Sequence, residues 1–417
     1  MLTQISFIAI IALVGSDPHA QTIQSEIDMV RREIASYRNV RNQEETTRIR
    51  AAEIDAIIED VLGDAATRTS FKKRSANTIE SKNGDFTIAV DYYNQFDWVL
   101  NHNWVDGTDH GFQTSTSRIT VSGDLYGSAW SYSGRLLLGN GSDGDAQFAY
   151  IQGNINANTN IQFGLLSPMF SLEQAIDNND QLGVYLSFIA GTFDPESLTG
   201  ICLFGELDRA RGWLTLTNGW DQEIDSIEGN QRQGVFGRFE WSPFGSWDDL
   251  YRFNPYPGDT ETGLMLGFGA NFDWGDYDQM GLRDVNGDAT RITADFSWQS
   301  SGFATLSTIN WQDVPQSISF GGRRWAATTQ IAWFPMDRIE IYARGEWGTI
   351  LGSDSTELWM ATFGTSWYPV GDNRIKITFE IVRGWGDTTN WKIDGNPGIV
   401  EVNAPQTAVR TQLQLSF

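Results

Sequence analysis

Cysteine is almost missing from this chain: Cys202 stands alone in 417 residues, so neither an intrachain disulfide nor a cysteine zinc site can form. Histidine is as scarce. His19 lies near the N-terminus, and His102 and His110 fall in one stretch that reads as a loop, leaving too little for a histidine triad or metal site. Clustered Lys/Arg is also lacking, and the formal charge is −24, which excludes nucleic acid as a partner because phosphate binding needs a basic patch. The N-terminal "ISFIAIIALVG" is an apolar run of eleven, too short to span a bilayer as a helix. Proline is sparse at 11 against 42 Gly, while aromatics reach 13% with 17 Trp. That mixture suits many short strands joined by tight turns and is rare in helical bundles.

The run of eleven is followed by "SDPHA" and a polar sequence, the layout of a secretory signal over residues 1–20, cut near Ala20. Behind it, Ile23, Ile27, Val30, Ile34 and Tyr37 recur at steps of four and three, the seam of a short coiled coil. Ile54, Ile57, Ile58, Val61 and Leu62 mark a second amphipathic helix, so residues 21–82 are expected to form a helical stalk or plug. Charge changes at the same boundary. Gln21 to Lys82 holds eleven acids and eleven bases, whereas Asn83 to Phe417 holds forty-one acids and eighteen bases.

From Phe86 the hydrophobic pattern has period two and keeps it to the C-terminus. In "FTIAVDYYNQFDW", Phe86, Ile88, Val90, Tyr92, Phe96 and Trp98 share one face, with Thr87, Ala89, Asp91, Tyr93, Gln95 and Asp97 on the other. Sixteen such runs follow one another to "AVRTQLQLSF", where Val409, Thr411, Leu413, Leu415 and Phe417 form the apolar side. Their connections alternate between short turns such as "YGS", "DRA" and "FPMD" and long polar stretches such as Val99 to Ser117, Ser167 to Glu196 and Trp385 to Gln406. One segment, "FGSWDDLYRFNPYPGDTET", is long where a turn is due.

Tight turns on one rim and long loops on the other, with an even strand number, describe a bacterial transmembrane barrel. Tryptophans at strand ends fit its aromatic girdles, and charge is kept off the outward faces, where Arg or Lys would cost roughly 2–4 kcal/mol at mid-bilayer. The inward faces carry it instead: Asp91, Arg135, Arg238, Glu240, Arg291, Asp295, Glu340, Arg344, Lys376, Glu380 and Arg410 are expected to line a wet pore. The fold expectation is therefore all-β, a 16-stranded antiparallel transmembrane β-barrel over residues 83–417 with an N-terminal helical segment. A closed barrel leaves no open edge, so the last strand must pair with the first.

With that frame, "FGLLSPMFSLEQAIDNND" resembles the strand-to-loop segment of the phosphate-selective porin O/P family, through Gly164, Pro168, Phe170, Ser171 and Glu173. "GICLFGELDRARGWLTLTNG" resembles the family's next hairpin. The resemblance implies trimeric outer-membrane barrels whose third long loop folds into the lumen as a constriction. Here that loop, Ser167 to Glu196, carries Glu173, Asp177, Asp180, Asp194 and Glu196 and no Lys or Arg. The family's basic pore cluster finds no matching positions, so its anion selectivity is not carried over.

A lumen narrowed by carboxylates concentrates cations. The expected function is an outer-membrane porin for passive diffusion of small solutes, mildly cation-preferring, with membrane lipid and a homotrimer as partners and cell-wall contact through the stalk. Two alternatives stand beside it: a secreted Trp-rich carbohydrate-active β protein and a structural envelope anchor. Aromatics lining the lumen would instead indicate a sugar channel. No enzyme, cofactor or metal site is expected. "GFGANF" at Gly267 lies inside a strand with no helix after it, and Asp284, Asn286 and Asp288 echo a calcium loop that lacks its distal Glu.

Overall fold

The computed structural model describes residues 71–73, 77–81, 83–138, 144–219, 233–258, 260–274, 276–279, 282–286, 288–315, 321–352, 356–392 and 398–417. The chain divides into two compact units, Met1–Lys72 and Lys73–Phe417. Of the first only residues 71 and 72 are described, so the heptad at Ile23–Tyr37 and the helix at Ile54–Leu62 lie outside the described residues.

The second unit is a barrel of sixteen antiparallel strands. They are β1 (Thr87–Asn103), β2 (Gly107–Leu125), β3 (Trp130–Leu137), β4 (Ala146–Asn156), β5 (Thr159–Leu166), β6 (Leu198–Leu207), β7 (Ala210–Thr217) and β8 (Gln233–Phe244). The circuit continues through β9 (Gly263–Trp274), β10 (Ala289–Ser300), β11 (Phe303–Val314), β12 (Gly322–Met336), β13 (Ile339–Leu351), β14 (Thr356–Trp367), β15 (Ile375–Gly386) and β16 (Gln406–Ser416). Each pairs with its neighbour in sequence, and β16 returns to β1 from Gln406↔Asn103 to Ser416↔Tyr93, which closes the barrel. Each of the sixteen overlaps one of the expected period-two runs, the first two extending well beyond theirs. The C-terminal alternation is thus the closing seam, where every ladder group needs a partner.

Below the end of β16, a short strand, Thr78–Ser81, pairs with Thr87–Ala89 of β1. Asn77 accepts from Val90 N–H at 3.0 Å, so the edge of β1 stays occupied past Phe417. One loop expectation is corrected. Val99 to Ser117 is mostly strand, with only residues 104–106 between β1 and β2, and His102 and His110 stand on opposite arms of that hairpin. Alternation there continues in polar residues, so hydrophobicity did not reveal the strands. Asp284 and Asn286 lie in a small ribbon, Asp276–Gln279 with Leu282–Asn286.

Side chains alternate across each strand, and the two faces differ sharply in exposure. Outward residues are bare and apolar: Trp333 is 54% exposed, Phe268 50% and Phe363 59%. Inward residues on β8 to β16 are buried although many are charged, with Glu380 and Arg410 both at 0%. Two connections fill that side of the lumen. One is the long β5–β6 loop, residues 167–197, which contains α1 (Leu172–Ala175) and α2 (Phe188–Phe193). The other is the unexpectedly long β8–β9 connection, residues 245–262, with α3 (Trp247–Leu250).

Leu172, Ile176 and Leu182 of the first pack with Leu250 and Phe253 of the second, against Leu306 and Tyr342 on the wall. A second apolar cluster joins Phe188 and Phe193 to Trp391 and Ile399 of the β15–β16 loop. Part of the barrel centre is therefore a dry core, which corrects the expectation that water fills it throughout. The cause lies in the loop sequences, which carry enough apolar side chains to bury one another.

Candidate functional site: the inward loop and the uncovered wall

The loop leaves β5 through a kink at Gly164, whose φ is 136°; a Cβ there would lie 2.3 Å from the Ala149 carbonyl oxygen. Only glycine meets both conditions. The chain then turns inward at Phe170. Its attachment to the wall is made largely through backbone groups. Arg238 donates to the Phe170 carbonyl, and Leu172 N–H donates to Asp295 at 3.3 Å. Lys376 donates to the Gln181 and Leu182 carbonyls, and Arg344 to the Tyr185 carbonyl at 2.9 Å. Val184 gives its N–H to Glu380 at 3.2 Å and accepts from Gln412 at 3.1 Å, while Ile189 N–H donates to Glu346 at 3.0 Å.

These contacts explain why the inward charges are dry. Folding the loop inward strands backbone N–H and C=O groups away from water, each costing about 1–3 kcal/mol if unmet. The wall supplies charged partners for them, and the charges compensate one another: Arg238 meets Glu240 at 2.7 Å and Asp295 at 2.6 Å, Arg344 meets Glu346 at 3.0 Å, and Arg410 meets Glu380 at 2.8 Å. Arg291 pairs with Asp273 at 3.0 Å, and Glu340 accepts from Tyr368 at 2.6 Å. Of the eleven inward residues named from sequence, Arg238, Glu240, Arg291, Asp295, Glu340, Arg344, Lys376, Glu380 and Arg410 are buried. Asp91 is exposed at the short-turn rim, bonded to Asn77 at 2.8 Å, and Arg135 is half-buried.

The loop's five acids divide by task. Glu173 is buried and accepts from Ser187 N–H at 2.6 Å and Ser187 Oγ at 2.7 Å, fixing the residue that caps α2. Asp194 accepts from Ser171 Oγ at 2.8 Å, and burial pushes its carboxyl well above the ordinary value, with that hydrogen bond opposing. Asp180 accepts from Asn373 at 2.6 Å and Asn254 at 3.3 Å, tying the loop tip to the short-turn rim; burial and the charge of Asp177 raise its pKa. Glu196 is exposed and pairs with Lys392.

Of these acids Asp177 alone reaches the uncovered wall, pairing with Arg135 on β3 at 2.9 Å and with the buried Arg118 on the adjoining β2. Burial would raise its carboxyl, but the charges of Arg118 and Arg135 outweigh it and hold the pKa below the ordinary carboxylate value.

On that wall, β3 to β7, a strip of inward side chains stays half-exposed, although Cys202 and Thr215 on the same face are buried. Register identifies them, since directly paired residues share a face. Arg135 pairs with Phe148 and Ser133 with Tyr150; Gln152 pairs with Gln162; Asn160 pairs with Phe204, which pairs with Trp213, which pairs with the inward Arg238. Aromatic and amide groups thus line the open strip. The sequence reading missed it because Phe148, Tyr150, Phe204 and Trp213 blur the polar-in pattern of those strands. Among the described residues, no three His, Cys, Asp or Glu side chains are placed to hold a metal ion.

No protein-family model matches the chain, and no curated protein matches it. Solved structures do match in shape. The anion-selective porin from Comamonas acidovorans aligns with a TM-score of 0.55 at 13% identity, over 80% of this chain and 100% of its own. OmpT, an outer membrane protein of Vibrio cholerae in its trimer form, gives 0.53 at 13%, covering 79% and 99%. The chain has the fold of outer-membrane porins. The outer membrane channel DcaP of Acinetobacter baumannii gives a further 0.53 at 10%, covering 81% and 99%. Within this porin fold, helices have no spanning role among the described residues, none being long and apolar enough to cross a membrane.

Proposed function

We propose that the chain is an outer-membrane porin that lets small hydrophilic solutes diffuse passively along the uncovered wall. The observation that carries this reading is the inversion of faces: bare aromatic and aliphatic side chains cover the outside, while charged and amide groups face in. In water such an apolar belt would be far larger than the few hundred Å² patches soluble monomers expose. In lipid it is the expected surface. The named fold relatives include a porin and a channel, which supports the same reading.

The mild cation preference expected from the acidic loop is weakened by where its acids sit. Glu173 and Asp194 are committed within the loop, and Asp177 lies between two arginines. We infer weak ion selectivity set by the Asp177, Arg118 and Arg135 group. Trimer formation, the resemblance to O/P porins at Gly164 to Glu173, and a periplasmic stalk over residues 21–82 belong to the same proposal. The OmpT trimer form supports the first of these.

The test is conductance of the full chain in planar bilayers, with the reversal potential in a KCl gradient. Stable ohmic steps with a small reversal potential are expected. Absence of conductance would overturn the channel reading in favour of an envelope anchor, and a strong preference for either ion would overturn the selectivity.

A further inference from the structure

Four asparagines alternate across the β4–β5 turn in "NINANTN", residues 154–160. They border a cavity of about 590 Å³ at the short-turn mouth of the uncovered wall, together with Phe204 on β6 and Trp247 on α3. The position matters for the channel reading, on which this inference rests, because a solute following the open strip reaches this cavity.

Its chemistry is that of a receiver for hydroxyl groups. Asn160 Oδ1 is buried without a hydrogen-bond partner. Asn156 uses its Oδ1 on the Asn158 N–H at 2.9 Å and keeps its Nδ2 to donate; Asn154 uses its Nδ2 on the Ser128 carbonyl at 2.9 Å and keeps its Oδ1 to accept. Donors and acceptors therefore alternate along one border, as vicinal hydroxyls require, since each can give and take a hydrogen bond.

The cavity's charges cancel in pairs. Glu206 meets Arg211 at 2.9 Å, and Asp208 meets Arg209 at 3.3 Å. Aromatic surface completes it: Phe204 packs on Trp213 with ring centroids 4.9 Å apart, and the Trp247 ring lies 4.4 Å from the Arg211 guanidinium. An anion would find no unpaired cation at this place, and a wholly apolar solute would leave the asparagines unmet. A molecule with many hydroxyls, no net charge and an apolar face satisfies every group.

We propose that this cavity is a subsite for neutral saccharides at the inner mouth of the channel. The test uses the full chain in planar bilayers, with maltotriose or gluconate added on the short-turn side. Maltotriose is expected to reduce the ion current saturably and gluconate to leave it unchanged. The double variant Asn156→Leu, Asn160→Leu should weaken the block about tenfold relative to its own unblocked current, while Trp247→Phe should retain it.

No block by maltotriose, equal block by gluconate, or equal block in the double variant would overturn the proposal. If the chain carries no current, the channel reading fails separately, and calorimetric titration of maltotriose into the detergent-solubilised chain decides the subsite. Heat lost in the double variant supports it, and its absence in the unaltered chain overturns it.

Discussion

Tyr92 and Phe417 exchange two backbone hydrogen bonds, Tyr92 N–H to the Phe417 carbonyl at 2.7 Å and Phe417 N–H to the Tyr92 carbonyl at 3.0 Å, and their rings lie 5.2 Å apart. The last residue of the chain is thus a working rung of the seam. Phe417→Ala keeps the rung and removes the ring contact, worth about 0.5–1.5 kcal/mol beyond area. The urea midpoint of the heat-modifiable folded band should fall accordingly, and deletion of Phe417 should lower it further.

Gly269 on β9 faces the start of the inward loop, where an added Cβ would lie 2.4 Å from the Phe170 carbonyl oxygen. Gly269→Val should therefore push the loop off the wall and cost about 1–3 kcal/mol through overpacking. The barrel should still close, because both ladders of β9 are untouched. Single-channel conductance should change while heat-modifiability remains.

Asp177 gives a pH signature. Its folded-state pKa is depressed by Arg118 and Arg135, so its ion pairs contribute stability above the unfolded value of about 3.9 and lose it as pH falls through the lower folded value. Asp177→Asn should shift the reversal potential toward anions at neutral pH. The difference between it and the unaltered chain should persist down to about pH 3.9 and vanish only in stronger acid.

Asp194 has the opposite sign. Burial raises its pKa, so the folded chain holds that proton more tightly than the unfolded one, and stability from this group falls as pH rises from about 3.9 through the folded value. Asp194→Asn should be at least as stable as the unaltered chain at neutral pH, measured by thermal melting in detergent, and should lack this part of the pH dependence.

Trp391 is fully buried where the β15–β16 loop enters the lumen, close against Gly348 of β13. Trp391→Ala should cost about 3–5 kcal/mol locally. Because the loop can detach without opening the barrel, the sensitive readout is trypsin cleavage at the adjoining Lys392, which should accelerate sharply.

Strand number, closure and facing were legible because a closed barrel with an apolar outside and a polar inside imposes a strict period of two on each strand. The β1–β2 hairpin was legible only up to Trp98 and from Arg118, since most residues between those points are polar on both faces. The candidate site was legible in part. Gly164 and Phe170 marked the loop's departure from the wall, and inward charges such as Glu380 and Arg410 were found on the expected face. Their dryness was hidden, because it depends on the β5–β6 loop arriving from elsewhere in the chain, where Val184 gives its N–H to Glu380 and its carbonyl accepts from Gln412. Phe148, Phe204 and Trp213 escaped notice for a related reason: an inward aromatic looks, in sequence, like an outward one.

The wall grips the loop by carbonyls and amides that every residue type possesses. Lys376, Arg344, Glu346 and Glu380 hold positions 181, 182, 184, 185 and 189 without consulting their side chains. Substitutions along that stretch can therefore reshape the aperture while the mooring stays intact. A lineage is free to reshape the space inside such a barrel without rebuilding the frame that holds the loop.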